Sequence, residues 1–290
     1  MHIPSVEVHR AANLAEASAL LGRFSPDVRL LAGGTDVLVD LKTSRMSVGH
    51  LVALSGIAEL RGVTRGPGGL RIGALTTLAE LDRSPLVAGE YAAIRDATSK
   101  MATPQIRNAA TVGGNIAGAV PCADLPPVLM SMNAAVLLSS PAGERTVPLE
   151  DLFVGPRRTI LREDELLAAV IVPRPNARFG AAYARFGLRE ANAIAVAGVA
   201  AGLALNDDGT VRSVRIALCA VSPAPKLVRS AAEVLLGRVL DEGALRKAAA
   251  AAMQAAQPIS DLRGSADYRR ELVGVLTRRA LVAASQRIAR

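Results

Sequence analysis

The chain has 290 residues, half of them hydrophobic, and a formal net charge of +8. That length accommodates two domains or one large one, and 21% charged residues beside so much apolar material excludes a disordered chain. No uncharged apolar run approaches the roughly 18 residues of a membrane span, and aromatic residues at 2% argue against nucleic-acid binding.

Residues 1–175 carry 17 basic and 17 acidic side chains, whereas residues 176–290 carry 17 and 9, so the whole net charge sits in the last two-fifths. This shift, with the prolines of VPRPNARFG at 172–180, predicts a boundary there. A basic surface of that kind docks on an acidic partner or simply keeps the protein soluble. The start, MHIPSVEVHRAANLAEA, has no signal-peptide layout, which predicts a cytoplasmic protein. Cys122 and Cys219 are the only cysteines and lie far apart, so neither a zinc site nor an iron–sulfur cluster can be built from this chain alone.

In chain order, VEVH (6–9) reads as a strand and Asn13 as the cap of a helix ending at Gly22. VRLLAGG (28–34) reads as a strand entering a glycine turn. Thr35 then caps a helix that places Val37, Leu38 and Leu41 at helical spacing. HLVALS (50–55) completes a βαβ-like unit. GLRIGALTTLAEL (69–81) gives a strand and a helix capped by Thr76 or Thr77, and 84–101 reads as a helix with Pro85 in its first turn. TPQIRNAATVGGN (103–115) reads as a loop. A helix starts at ADLPPVLMSMN (123–133). AAVLLSS (134–140) and ELLAAVIVP (165–173) are strands, or buried helix by the same apolar content.

Beyond the boundary, residues 181–189, 193–205 and 211–221 read as three antiparallel strands, with a hairpin turn at Asn206–Gly209. Helical patterns follow at 225–237, 241–256 and 266–289. Sheet first and helices after is an α+β pattern.

Two double-glycine turns stand out. A glycine pair after a strand permits positive φ and lets backbone N–H groups converge, which suits a phosphate; it also serves as a plain tight connection. Gly33, Gly34, Thr35 and Asp36 form one such turn, and Thr111, Gly113, Gly114 and Asn115 the other. Neither has the spacing of a Walker or Rossmann loop. Together they read as a two-sided clamp on a diphosphate. Asp124 then either accepts from ribose hydroxyls or caps the helix that follows it.

The segments AGGTD and TPQIRNAATVGGNIAGAVPCADLPPVL resemble the FAD-binding medium subunit of the molybdenum hydroxylases, of the carbon monoxide dehydrogenase and xanthine dehydrogenase type. The resemblance extends over essentially the whole chain, through LEDLFVGPRRTILREDELLAAVIVP and LRGSADYRRELVGVLTRRAL. It implies an α+β fold: an FAD-binding domain of the p-cresol methylhydroxylase-like type over 1–175, with subdomains of about 1–56 and 57–175. A C-terminal domain over 176–290 would follow, made of a three-stranded antiparallel sheet with a helical bundle.

The resemblance also implies a set of FAD contacts. Leu31, Ala32, Gly33, Gly34, Thr35, Asp36, Val37 and Leu38 would wrap the pyrophosphate, and Thr111, Val112, Gly113, Gly114 and Asn115 would meet it from the other side. Asp124 would bind ribitol or ribose hydroxyls, with Met101 and Leu167 near the flavin. Arg185 would face the flavin or its phosphates, or be a surface arginine. Arg107 and Asn108 would shape the loop, and Cys122 would be a small buried residue. His2, His9 and His50 lie outside these motifs, so neither a histidyl-linked flavin nor a metal site is expected.

On this reading the chain is a subunit with no catalytic residue or metal of its own. A large subunit with the molybdenum cofactor and a small subunit with [2Fe-2S] clusters would be its partners in a heterotrimer. Electrons from the clusters would leave through FAD to NAD, oxygen or a quinone. A self-contained flavin oxidoreductase is one alternative, and a scaffold subunit that has lost FAD is another.

Overall fold

The computed structural model describes residues 5–175, 178–190 and 192–288. The expected boundary therefore runs into 176–177, which lie outside the described residues, as does His2.

The first unit is β1 (Glu7–Arg10), α1 (Leu14–Phe24), β2 (Val28–Leu31), α2 (Val37–Lys42) and β3 (His50–Ala53), with the strands parallel in the order β1-β3-β2. The α1 cap is as expected, since Asn13 Oδ1 accepts from the Glu16 N–H at 2.9 Å. Helix α2 departs from expectation. Its cap position is Asp36 rather than Thr35, and no side chain caps it.

The second unit runs through β4 (Val63–Gly66), β5 (Gly69–Gly73), α3 (Leu78–Arg83), α4 (Ala93–Thr98), α5 (Pro104–Ala109), α6 (Val112–Ala117) and α7 (Leu125–Ser131). It continues through β6 (Ala135–Ser140), β7 (Gly143–Pro148), the hairpin β8 (Phe153–Gly155) and β9 (Arg158–Thr159), and β10 (Leu166–Pro173). Its five-stranded antiparallel sheet has the order β4-β5-β10-β6-β7, and β6 and β10 are strands, which settles their ambiguity with buried helix. Thr77 caps α3 in a reciprocal pair with Glu80, because its hydroxyl accepts from the third amide while Glu80 accepts from its own N–H.

Two readings fail in this unit. The helix predicted over 84–101 is only α4, preceded by a single 3-10 turn at Gly89–Tyr91, so Pro85 starts no helix. The loop predicted over 103–115 is mostly helical. Thr103 caps α5 and Thr111 caps α6, each by a side-chain hydroxyl, so short polar caps carried the signal that glycine and alanine obscured.

The last unit is β11 (Phe179–Gly187), β12 (Ala195–Leu205), β13 (Val211–Cys219), β14 (Lys226–Leu227), α8 (Arg229–Glu233), α9 (Glu242–Ala255) and α10 (Ala266–Ile288). The sheet has four strands rather than three, because Lys226–Leu227 pairs with Ala217–Leu218 where a helix was predicted. The three helices pack in sequence, with α9 against both α8 and α10. Helix α10 lies on β11 and β12 with α9 beside it, and α4 and α7 from the preceding unit cover the opposite face.

Strand β12 is buried on both faces, and its small residues permit that. Ala197, Val199, Ala201 and Leu203 join the core under α9 and α10. Ala200 faces the other way, with Tyr183 and Cys219, into the core of the first two units. Among the described residues, no helix is long and apolar enough to cross a membrane.

Candidate functional site

The first glycine turn leaves its backbone donors free. Among the described residues, the N–H groups of Ala32, Gly33, Gly34, Thr35, Asp36 and Val37 find no acceptor, and the first amide of this stretch to bond is Leu38, to Gly34 O at 3.1 Å. Buried polar groups are normally paired, so six consecutive open donors form a cradle for acceptor oxygens. Gly34 supplies the bend with φ of 73°, and the segment is half-buried except at exposed Asp36.

The structure brings the two turns together. A Cβ on Gly33 would lie 1.9 Å from the carbonyl oxygen of Ala109, two residues before Thr111. Only glycine allows this approach. Arg157 ties the assembly from outside. Its guanidinium donates to buried Asp40 of α2 at 2.8 Å, and its N–H bonds Ala119 O, just past α6. Neither Arg157 nor Asp40 was singled out in the sequence, and no local pattern marks them.

The second turn is built differently from the predicted nest. Its donors are already spent: Val112 N–H on Thr76 O, Gly113 N–H on Ala74 O, Gly114 N–H on the Thr111 hydroxyl and Asn115 N–H on Thr111 O. Gly113 is the packing glycine, since a Cβ there would meet the Ala74 Cβ at 2.7 Å. Two polar features remain for a ligand. Gly114 is exposed, and the buried Asn115 Oδ1 has no hydrogen-bond partner among the described residues. An orphaned buried amide oxygen is destabilising unless a donor meets it.

Asp124 stands at the head of α7 but does not cap it. It is 6% exposed, its Oδ1 accepts from the Tyr183 hydroxyl at 2.6 Å, and its Oδ2 accepts from Arg185 Nη1 at 3.2 Å. Burial pushes its carboxyl above the usual range, opposed by the Arg185 charge, the Tyr183 hydrogen bond and Lys100. Tyr183 also contacts buried Cys219 Sγ at 3.3 Å, and burial with Asp124 nearby raises that thiol strongly.

Arg185 is no surface arginine, because its side chain is only 6% exposed. It donates as well to Lys100 O at 3.2 Å and to Ala193 O at 2.5 Å, so its fork is pinned on three sides. Tyr183 was missed in the sequence; its signal was its place two residues before Arg185, on the same face of one strand.

Met101 is buried and adjoins this cluster through Lys100 O, which accepts from Arg185. Arg107 shapes the neighbouring turn by donating to Met101 O at 2.7 Å, and Ala102 there takes a left-handed φ of 45°. Leu167 is buried at a bulge of β10, beside Ala168, whose carbonyl accepts from the Ala74 that packs on Gly113. Cys122 is half-buried, and burial and Asp124 push its thiol up, so it is a protonated packing residue rather than a thiolate. His9 and His50 lie outside the clamp, on β1 and β3.

The site thus joins a cradle of free amides, an orphaned amide oxygen and a buried carboxylate held by tyrosine and arginine. This donor and acceptor set fits a pyrophosphate with polyhydroxyl arms, which is what FAD presents. Comparison with known proteins agrees. Residues 4–175 match the model of the FAD binding domain in molybdopterin dehydrogenase, and residues 181–284 match the CO dehydrogenase flavoprotein C-terminal domain. The chain is 36% identical to the carbon monoxide dehydrogenase medium chain of Hydrogenophaga pseudoflava, over 99% of both chains. It is 34% identical to the xanthine dehydrogenase FAD-binding subunit of Escherichia coli, over 94% of both. A solved carbon monoxide dehydrogenase from Hydrogenophaga pseudoflava, lacking the Mo-pyranopterin moiety of its cofactor, contains a chain that superposes with a TM-score of 0.95 at 36% identity, over 99% of each chain. The chain belongs to the family of FAD-binding medium subunits of the molybdenum hydroxylases, and it is a flavoprotein oxidoreductase subunit.

Proposed function

We propose that the FAD pyrophosphate lies on the open amides of the segment Leu31 to Leu38, with Thr111 to Asn115 closing over it. The run of six N–H groups at 32–37 with no acceptor among the described residues carries this reading. Gly114 leaves the backbone open to close approach, and the Asn115 amide oxygen accepts from a cofactor N–H or O–H. Each carboxylate oxygen of Asp124 keeps a lone pair after Tyr183 and Arg185 are served, so Asp124 accepts from ribitol or ribose hydroxyls. Arg185 works through Asp124, holding it ionised and in place, rather than by touching phosphate itself. Met101 and Leu167 supply apolar surface that excludes water from the flavin side.

Bound there, FAD supplies the redox chemistry, taking electrons from [2Fe-2S] clusters of a small partner subunit and delivering them to NAD, oxygen or a quinone. The residues above need perform no acid–base step; they fix the position and electrostatic surroundings of the cofactor. A large subunit carrying the molybdenum cofactor would hydroxylate the substrate, in a cytoplasmic complex. The division into 1–175, with subdomains of about 1–56 and 57–175, and 176–290 belongs to the same proposal. It is supported by the four sheets of the described residues, none of which shares a strand across those limits.

The test is the visible spectrum of the purified chain and the identity of any chromophore released on denaturation. FAD in stoichiometric amount, without an iron–sulfur signal, is the expected outcome. A colourless chain that takes up no added FAD, alone or with its partner subunits, would reduce the two turns to structural connections.

A further inference from the structure

The N-terminal sheet gathers a second constellation, away from the clamp. Glu7 and His9 lie two residues apart on β1 and so share a face, and His50 is the register partner of Glu7 on the adjacent parallel strand β3. The fold thereby places two imidazoles and a carboxylate side by side, and ligand atoms of all three lie within 4.8 Å of one another.

The separation of the two ring nitrogens fits a shared ion as well as a hydrogen bond. His9 Nε2 and His50 Nδ1 are 3.1 Å apart. Two nitrogens bound at about 2.0–2.1 Å to one ion lie roughly 2.9–3.4 Å apart, across octahedral to tetrahedral geometry. The Glu7 carboxylate divides itself, with Oε1 at 3.8 Å from His9 Nε2 and Oε2 at 3.5 Å from His50 Nδ1. Both separations are too long for hydrogen bonds. They exceed the separation expected of two ligands on one ion by a few tenths of an ångström, a gap that rotation of the exposed Glu7 side chain closes.

The rings are held in place. Phe24, the last residue of α1, stacks on both imidazoles, with centroids 4.6 Å from His9 and 4.0 Å from His50 and interplanar angles of 17° and 22°. Stacking of this kind removes the rotamer freedom that binding would otherwise have to quench. The histidines are largely covered, at 17% and 24% side-chain exposure, whereas Glu7 is 66% exposed. Solvent, and with it an ion, has an open path.

We propose that Glu7, His9 and His50 form a binding site for a divalent first-row transition ion of the zinc class. Two nitrogen donors disfavour magnesium and calcium, which take oxygen ligands, and the absence of thiolate at the triad disfavours copper(I). Three protein ligands leave at least one position for water. The ion would clamp β1 to β3 and to the end of α1, so its consequence is stability of the parallel sheet that feeds the first glycine turn.

The experiment uses the full chain without a histidine tag, stripped with chelator and titrated with Zn2+ by equilibrium dialysis, with thermal melting in parallel. One equivalent of zinc is expected, with a rise in Tm that chelator reverses. His9→Gln and His50→Gln should each weaken binding by more than the roughly 10–100-fold typical of losing a residue that only hydrogen-bonds a metal ligand. Glu7→Gln, at an exposed position that the fold tolerates, should weaken it as well without altering the circular dichroism. Zinc uptake equal in wild type and Glu7→Gln, or no Tm response at saturating zinc, would reduce the triad to a histidine–histidine hydrogen bond beside a surface carboxylate.

Discussion

The Tyr183 hydroxyl donates to Asp124 Oδ1 at 2.6 Å, joining the sheet of the last unit to the head of α7. Asp124 is a carboxylate whose native pKa is raised, burial outweighing the two partners that favour its charge. The native state therefore keeps this proton to higher pH than the unfolded chain does. Asp124 contributes most to stability below about pH 4, where both states are protonated, and that contribution falls as pH rises through the native value. Tyr183→Phe removes a hydrogen bond to the charged form and should extend this falling window to higher pH. Asp124→Asn should remove the fall altogether. Urea midpoints measured across acidic to neutral pH check both, and identical profiles for wild type and Asp124→Asn would show that the carboxyl is not perturbed.

Arg185→Met leaves Asp124 buried with Tyr183 as its main partner and strips donors from Lys100 O and Ala193 O. Removing one partner of a buried ion pair typically destabilises by about 3–5 kcal/mol. The double variant Arg185→Met/Asp124→Asn should recover part of that loss, since no charge is then stranded. Chemical denaturation of the four proteins gives the coupling. An additive cycle would place Arg185 outside the energetics of Asp124.

The legibility of this protein divides along physical lines. Caps were readable where a short polar side chain precedes a periodic run, as at Asn13 and Thr77, because the cap and the apolar stripe are local signals. The region 103–115 misled because Gly113 and Gly114 look like a turn, yet they lie inside α6. There Gly113 is demanded by Ala74 across the fold, a contact that no local pattern reports. Likewise Lys226–Leu227 reads as helix alone and becomes a strand only because β13 offers an edge. At the site, the motif residues were visible while their supports were not. Tyr183 meets Asp124 across 59 positions and Arg157 meets Asp40 across 117, pairings that exist only in the folded chain.

Asn115 offers a trade between stability and binding. Its buried Oδ1 is unpaired, a condition that typically destabilises by about 1–3 kcal/mol. In flavin-free protein Asn115→Leu removes the orphan at similar size, so Tm should rise. In the same variant FAD should dissociate faster, because the acceptor is gone. Differential scanning calorimetry of the stripped protein and the rate of flavin release read the two effects separately. A lowered Tm with unchanged release would mean that the amide serves the fold alone.

The glycines of the two turns separate folding from cofactor binding. A Cβ at Gly33 would collide with the backbone oxygen of Ala109, which cannot swing aside, so Gly33→Ala should destabilise the whole chain and lose FAD as a consequence. Gly114 is exposed, and its added Cβ would meet only the Thr111 hydroxyl at 3.0 Å. Gly114→Val should therefore keep the fold, since valine is no worse a helix former than glycine and only the Thr111 hydroxyl has to give way. Its side chain would nonetheless stand where the cofactor must approach the backbone, so FAD content should fall to near zero. Urea denaturation paired with flavin absorbance distinguishes the two variants. If Gly114→Val retained one FAD per chain at native stability, the second turn would not face the cofactor, and binding would rest on the open amides of 32–37 alone.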